Sequence, residues 1–182
     1  MKRLLLVLPI LSASLVILGL ITAHPLAAQG RPVELGVDGG FGFKVNSPTV
    51  MTIGLPMASL RVGFFASDQV SIEPAVNFSY LKVQDYDAVY TLGAELGALY
   101  HFSKDAAKSR VFLHPLAGIT VVGGGGESED QFHAGLGFGV KAPILTRLAF
   151  RLEAQYNHGF STSTVSASEQ IALLFGLSFF TK

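Results

Sequence analysis

The chain has 182 residues, with no cysteine, no tryptophan, 20 glycines, 14 phenylalanines and a formal net charge of zero. The lack of cysteine excludes a disulfide framework, a thiolate metal site and a cysteine nucleophile, and the lack of a basic surplus argues against nucleic-acid binding. Charged residues make up only 14% of the chain, below the roughly 25% typical of soluble domains.

Residues 1–28 have the pattern of a secretory signal peptide. Lys2 and Arg3 give a positive start, an uncharged apolar run follows, and Leu26-Ala27-Ala28 supplies small residues for a peptidase. The run approaches the ~20 residues that span a bilayer, so a permanent membrane helix is the alternative, although a proline and a glycine within the run weaken such a helix. We therefore expect cleavage, which divides the chain into a signal peptide, 1–28, and one domain, 29–182.

Beyond the predicted signal peptide, apolar residues alternate with small or polar ones along eight segments. In the sixth segment, the apolar residues Phe132, Ala134, Leu136, Phe138 and Val140 alternate with His133, Gly135, Gly137, Gly139 and Lys141. A two-residue period is that of a β-strand. Eight such strands with no helical pattern between them predict an all-β fold, an eight-stranded antiparallel up-and-down barrel. The predicted strands are Val33–Val45, Met51–Phe65, Val70–Leu81, Val89–Phe102, Val111–Val122, Phe132–Lys141, Leu148–His158 and Gln170–Phe180.

Two prolines, Pro74 and Pro115, fall inside predicted strands. Proline has no N–H to donate to a neighbouring strand, and a closed barrel has no free edge at which to place it. We expect a local bulge or a missing hydrogen bond at each position.

The predicted connections differ between the two ends of the barrel. One end has connections at 66–69, 103–109 and 142–147, and the other has connections at 46–49, 82–88, 123–130 and 159–168. The second set becomes longer and more polar along the chain. Short turns at one end and longer loops at the other are the arrangement of outer-membrane barrels.

The alternation leaves open which face of the barrel is outside. A transmembrane barrel turns its apolar face to lipid, whereas a soluble lipocalin-like carrier turns that face inward around an apolar ligand. The polar face here is rich in glycine, serine and alanine, which suits the narrow lumen of eight strands. Aromatic residues also mark the strand ends, as the interfacial girdles of membrane barrels require. These observations favour the membrane barrel, with girdle candidates Tyr80, Tyr90, Tyr100, Phe102, Tyr156, Phe179 and Phe180.

The polar face carries acids and bases in nearly equal number. Buried charges must be paired, so we expect a network that plugs the lumen; a narrow gated ion path is the alternative. His101, His114 and His133 share this face, and hydrogen-bonded lumenal histidines are favoured over a metal site. We expect no cofactor. The predicted network contains Glu34, Asp38, Lys44, Arg61, Glu73, Glu95, Lys141, Arg151 and Glu153.

On this pattern the chain resembles the small eight-stranded outer-membrane barrels of Gram-negative bacteria, similar to OmpX, OmpW and the transmembrane part of OmpA. In such barrels the last strand carries an insertion signal, a glycine followed by alternating aromatics. Gly176, Phe179 and Phe180 stand in that region, whereas Thr181 replaces a final aromatic. The resemblance implies a porin-like outer-membrane protein, monomeric, with membrane lipid, periplasmic chaperones and the barrel insertion machinery as its partners.

The expected function is structural or interactive at the cell surface, or the limited passage of small solutes, without enzymatic activity. Some barrels of this kind modify lipid A with a histidine and a serine near the loop end, and His158 and Ser161 lie there, with Glu169 across the loop. Because the histidine–serine spacing of the deacylase branch is absent, a lipid A-modifying enzyme is the second alternative, after the soluble carrier.

Overall fold

The computed structural model describes residues 31–45, 50–52, 58–81, 88–125, 127–162 and 165–181. The predicted signal peptide lies outside these residues. The described residues include no helix long and apolar enough to cross a lipid bilayer. Their strands are β1 (Val33–Lys44), β2 (Val50–Thr52), β3 (Ala58–Phe65), β4 (Val70–Leu81), β5 (Val89–His101), β6 (Arg110–Gly124), β7 (Glu127–Leu145), β8 (Leu148–Gly159) and β9 (Ser168–Phe180).

The strands form one antiparallel sheet that closes on itself. From β3 to β9 each strand pairs with the next along the chain, and β1 pairs with both β3 and β9. β2 pairs with β1 at Gly42–Lys44 and β3 pairs with it at Val33–Asp38, so β2 and β3 together take one position in the barrel. The predicted closed, eight-stranded, all-β barrel is thereby confirmed. The predicted second strand, Met51–Phe65, is described only in these two pieces.

Two predicted connections are wrong. Gly123–Asp130, expected as a loop, belongs almost entirely to β6 and β7, which pair as far as Gly124 and Glu127. Gly125, with a φ of 60°, takes a conformation that glycine adopts at no steric cost. At the opposite end, the connection predicted at 142–147 is only Thr146–Arg147. The apolar alternation fades beyond the lipid-facing part of a strand, while backbone pairing continues, so the pattern marks strand ends too early.

Both strand prolines interrupt the sheet on one side, as predicted. The β3–β4 register skips Val62 and Gly63 opposite Glu73 and Pro74, although Pro74 stays aligned with β5. The β5–β6 register likewise skips Pro115, which remains aligned with β7. Each proline, which has no N–H to donate, therefore interrupts the pairing with only one of its two neighbouring strands.

The two faces of the barrel are inverted relative to a soluble protein. Large apolar side chains lie on the outer face with about half their area exposed, such as Leu60 at 56% and Phe138 at 57%, whereas Arg151 is 2% exposed in the lumen. A contiguous exposed apolar surface of this size needs to be covered by lipid or by another apolar partner. The apolar face therefore meets lipid, and the lipocalin-like alternative, which needs an apolar interior, does not fit.

Candidate functional site in the barrel lumen

Arg61 of β3 lies at the centre of one half of a buried ion-pair network. Its Nε is 2.5 Å from Asp38 Oδ2, and its Nη1 is 2.5 Å from Glu34 Oε1 and 3.3 Å from Glu73 Oε2. Its Nη2 also donates to Ser178 Oγ at 2.8 Å. A guanidinium can fill such a site because it offers five donors in a fixed plane.

Arg151 of β8 organises the other half of the network. Its Nη1 is 2.5 Å from Glu73 Oε1, and its Nε and Nη2 both donate to Glu153. His114 Nδ1 lies 2.8 Å from Glu153 Oε1. Glu73 contacts both arginines, so the two halves form one connected set across the lumen.

Lys141 of β7 adds a third cation. Its Nζ is 2.6 Å from Glu34 Oε2 and 3.6 Å from Glu73 Oε2. Isolated charges at this depth would be costly, so nearly complete pairing is what makes their burial tolerable. We call Glu34, Asp38, Arg61, Glu73, His114, Lys141, Arg151 and Glu153 the lumen plug.

Apolar side chains, which were not among the predicted network residues, fill the lumen beside the plug. Phe112 is fully buried, and its ring centroid lies 4.9 Å from Arg151 Cζ and 5.6 Å from Lys141 Nζ. Cations near a ring at this distance are attracted to its electron-rich face. Strand parity would have placed Phe112 in the lumen, together with Phe65, Leu99 and Leu116.

Lumenal glycines leave the space that the plug occupies. A Cβ at Gly36 would collide with the Arg61 guanidinium, and one at Gly176 would collide with the Asp38 carboxylate. Gly97 and Gly137 stand in the same relation to His114 and Glu153. The alternation of glycine with apolar residues therefore has a packing cause.

The plug contains every predicted network residue except Lys44 and Glu95. Lys44 is exposed at the loop end of β1. Glu95 lies in a separate cluster, 3.4 Å from His133 Nε2 and 3.2 Å from Asn77 Nδ2. Strand parity gives the face of each residue, but it does not give its height along the barrel axis.

The three histidines of the lumenal face lie apart. His101 is next to Phe65, with their ring centroids 5.7 Å apart, His114 belongs to the plug, and His133 is beside Glu95. Across the described residues, no group of three or more metal-ligating side chains is close enough to hold an ion.

A cavity of about 240 Å³ lies at the end of the barrel that carries the short turns. Its lining includes Phe65, Asp68, Lys104, Arg110 and Phe180. Arg110, absent from the predicted network, is the first residue of β6 and faces inward with 5% exposure. The predicted strand began one residue later, at Val111, so parity extended by one residue would have found it.

The two phenylalanines at the end of β9, both predicted as girdle residues, face opposite sides of the barrel wall. Phe179 is 48% exposed on the outer face, as a girdle residue requires, but Phe180 faces inward, with its ring 6.4 Å from that of Phe65. The girdle assignment of Phe180 is therefore wrong, because consecutive strand residues face opposite sides.

His158, the candidate for lipid A chemistry, lies opposite Glu169 in the register of β8 and β9. Its ring contacts the Phe160 ring edge-on, with their centroids 5.1 Å apart.

Comparison with known proteins places this geometry in a family. The family model described as outer membrane protein beta-barrel domain matches residues 13–179. Among solved structures, Neisserial surface protein A has a TM-score of 0.57 at 16% identity, over 81% of this chain and 96% of that one. Ail, the attachment invasion locus protein of Yersinia pestis, gives 0.52 at 8% identity, over 82% and 98%. AlkL, solved in lipid bilayers, gives 0.51 at 14%, over 84% and 90%. The curated proteins yield no match.

Proposed function

The chain belongs to the outer membrane protein beta-barrel family and resides in the bacterial outer membrane, and from this we propose that it is a plugged, non-conducting barrel that displays a surface hairpin. The observation that carries the first half is the lumen plug. Arg61, Glu73 and Arg151 are at most 3% exposed and joined by contacts of 2.5 to 3.3 Å. Side chains of six strands converge there, which leaves little room for solute.

The β6–β7 hairpin supports the second half of the proposal. The β6–β7 turn is itself short, but it lies at the same end of the barrel as the long connections between β4 and β5 and between β8 and β9, and long connections face the cell exterior in outer-membrane barrels. β7 has 19 residues, whereas about 9–11 cross a bilayer, so the tip extends beyond the lipid. Ser128, Glu129 and Asp130 at this tip are exposed. An exposed acidic hairpin is suited to surface contact, and the attachment role in the printed name of Ail is compatible with such a use here.

Conductance across a planar lipid bilayer tests the plug. We expect the purified chain to open no stable channel, because solute would have to displace paired charges. The double variant Arg61→Ala and Arg151→Ala removes both organising guanidinium groups and should conduct, whereas Lys44→Ala, outside the plug, should stay silent. A stable channel formed by the unchanged chain would contradict the proposal, and so would a double variant that is folded yet silent.

We also propose that the barrel is not an enzyme and that His158 acts as an interfacial residue. Its ring packs on Phe160 at the loop end, as a girdle side chain does. Its position opposite Glu169 is compatible with the lipid A chemistry of the enzymatic alternative. Mass spectra of lipid A from cells carrying the chain or His158→Ala should be identical. Loss of a modified species in the variant would establish the enzymatic alternative.

For its biogenesis, we propose a monomer produced by signal peptide cleavage. Periplasmic chaperones would deliver the chain, and the insertion machinery would read its last strand at Gly176, Phe179 and Phe180. Phe179, exposed on the outer face, is available to such a reader before lipid covers it. Gly176 has a second use, since its missing side chain makes room for Asp38.

A further inference from the structure

The charged residues that line the cavity at the periplasmic mouth, which we call the vestibule, are nearly all cations. Arg31, Lys104 and Arg110 surround it, and Asp68 is the one acid among its lining residues. Lys108 and Lys141 also line it, but each already has a carboxylate partner, Lys108 at 3.4 Å from Asp105 and Lys141 at 2.6 Å from Glu34. The vestibule thus holds positive charge that its own walls do not neutralise.

Arg110 is the strongest sign of an unfilled site. It is only 5% exposed, and within the described residues its side chain makes one hydrogen bond, from Nη1 to the Asp68 carbonyl at 3.4 Å. Its guanidinium lies 5.5 Å from the Phe65 ring centroid. A guanidinium has five N–H donors, so most of those of Arg110 lack a protein acceptor in the described part of the chain. Arg31 likewise has a donor without an acceptor, since its Nη1 is buried and has no hydrogen-bond partner among the described residues.

The rest of the lining selects for an apolar body. Phe65, Leu148 and Phe180 lie beside these cations. The volume of about 240 Å³ corresponds to about eight waters, more than an inorganic phosphate requires. Charge-assisted hydrogen bonds from guanidinium groups favour oxyanions such as phosphate and carboxylate.

We propose that the vestibule binds an oxyanion carried on an apolar body, with Arg110 and Arg31 holding the head group and Phe65, Leu148 and Phe180 contacting the body. Such a ligand could come from two sources. One is a soluble periplasmic compound, and the other is a lipid phosphate of the inner leaflet, whose head groups lie level with this mouth. Both present the same chemistry to the cations.

The test uses the whole chain in nanodiscs of uncharged phosphatidylcholine, with hexyl phosphate as the probe and backbone amide NMR shifts as the readout. We expect saturable shifts at Asp68, Lys104 and Arg110, weaker binding of inorganic phosphate, and no shifts with hexyltrimethylammonium. Nanodiscs that contain phosphatidylglycerol separate the two sources. If lipid occupies the vestibule, hexyl phosphate will bind less tightly in them; if the ligand is soluble, its affinity will be unchanged.

Variants at the vestibule have effects of opposite sign. Arg110→Gln should weaken hexyl phosphate binding by about tenfold or more, the effect of losing a charged hydrogen bond. Lys104→Gln should weaken it less and Asp68→Asn should strengthen it; both residues are exposed, so these variants remain informative even if Arg110→Gln fails to fold. Lys44→Gln, at the opposite mouth, should change nothing. Unmoved vestibule amides, equal binding of the cationic probe, or equal affinity in Asp68→Asn and Lys104→Gln would overturn the proposal.

Discussion

At the scale of single residues, the lumen shows how glycine and charge depend on each other. Gly36 lies directly under the Arg61 guanidinium, so the plug needs the missing side chain as much as the charge. Gly39, on the outer face of the same strand, has only an ordinary contact, 3.6 Å to the Phe175 ring, in the place of a Cβ. The two glycines look equivalent in the sequence and differ in what surrounds them.

Alanine substitution distinguishes these two glycines. Gly36→Ala should destabilise the barrel by about 1–3 kcal/mol, because the added methyl group displaces Arg61 from a filled lumen. Gly39→Ala should cost much less, since its methyl group would make only an ordinary van der Waals contact with the Phe175 ring. Urea unfolding in lipid vesicles, followed by the gel mobility of the folded form, measures both. Equal losses would show that Gly36 is not constrained by the plug.

Removal of one charge from the plug should cost more than removal of a pair. Arg151→Met leaves Glu73 and Glu153 short of a partner, and such a loss typically costs about 3–5 kcal/mol. The double variant Arg151→Met and Glu153→Met should recover part of this loss, while Lys44→Met at the exposed lip should stay near the unchanged chain. The same urea titration gives all these values. Glu153→Met alone completes the comparison: a double variant whose loss of stability equals the sum of the Arg151→Met and Glu153→Met losses would mean that the pair is not coupled.

At the scale of strands, period-two alternation predicted the barrel elements well and their ends poorly. Lipid fixes the apolar face, so Phe132 and Leu136 are assigned from the sequence alone. Beyond the lipid, Ser128 and Glu129 pair with β6 through their backbones, which any side chain permits. The plug was foreseen as a set of inward charges, but their grouping was not, because contacts such as Lys141 to Glu34 depend on the relative heights of distant strands.

The β6–β7 hairpin gives a prediction at this scale. A peptide epitope inserted after Gly125 should be reached by antibody on intact cells, because the proposed orientation places this tip beyond the outer leaflet. The same epitope inserted between Thr146 and Arg147, at the opposite mouth, should be reached only after the outer membrane is permeabilised. Accessibility in the reverse order would show that the barrel has the opposite orientation.

At the scale of the whole molecule, closure and an outward apolar belt predict the behaviour of the chain in detergent. Unheated samples in dodecyl sulfate should run at a mobility distinct from that of boiled samples, because the hydrogen-bonded ring resists cold detergent. Without detergent or lipid the chain should aggregate, since its outer apolar face would be exposed to water. A chain that stays soluble without detergent and shows no heat shift would contradict the membrane barrel.

The pairing of β1 with β9 has a consequence for assembly. Thr181 Oγ1 accepts a hydrogen bond from the backbone of Val33, 148 positions earlier in the chain, and Glu34 is in register with Phe180. The seam joins the first barrel strand made by the ribosome to the last, so no shorter nascent chain can form it. Until it forms, the sheet has two open edges, and such edges invite pairing with other chains. We therefore expect the chain to be protected from pairing with other chains only once β1 and β9 have joined.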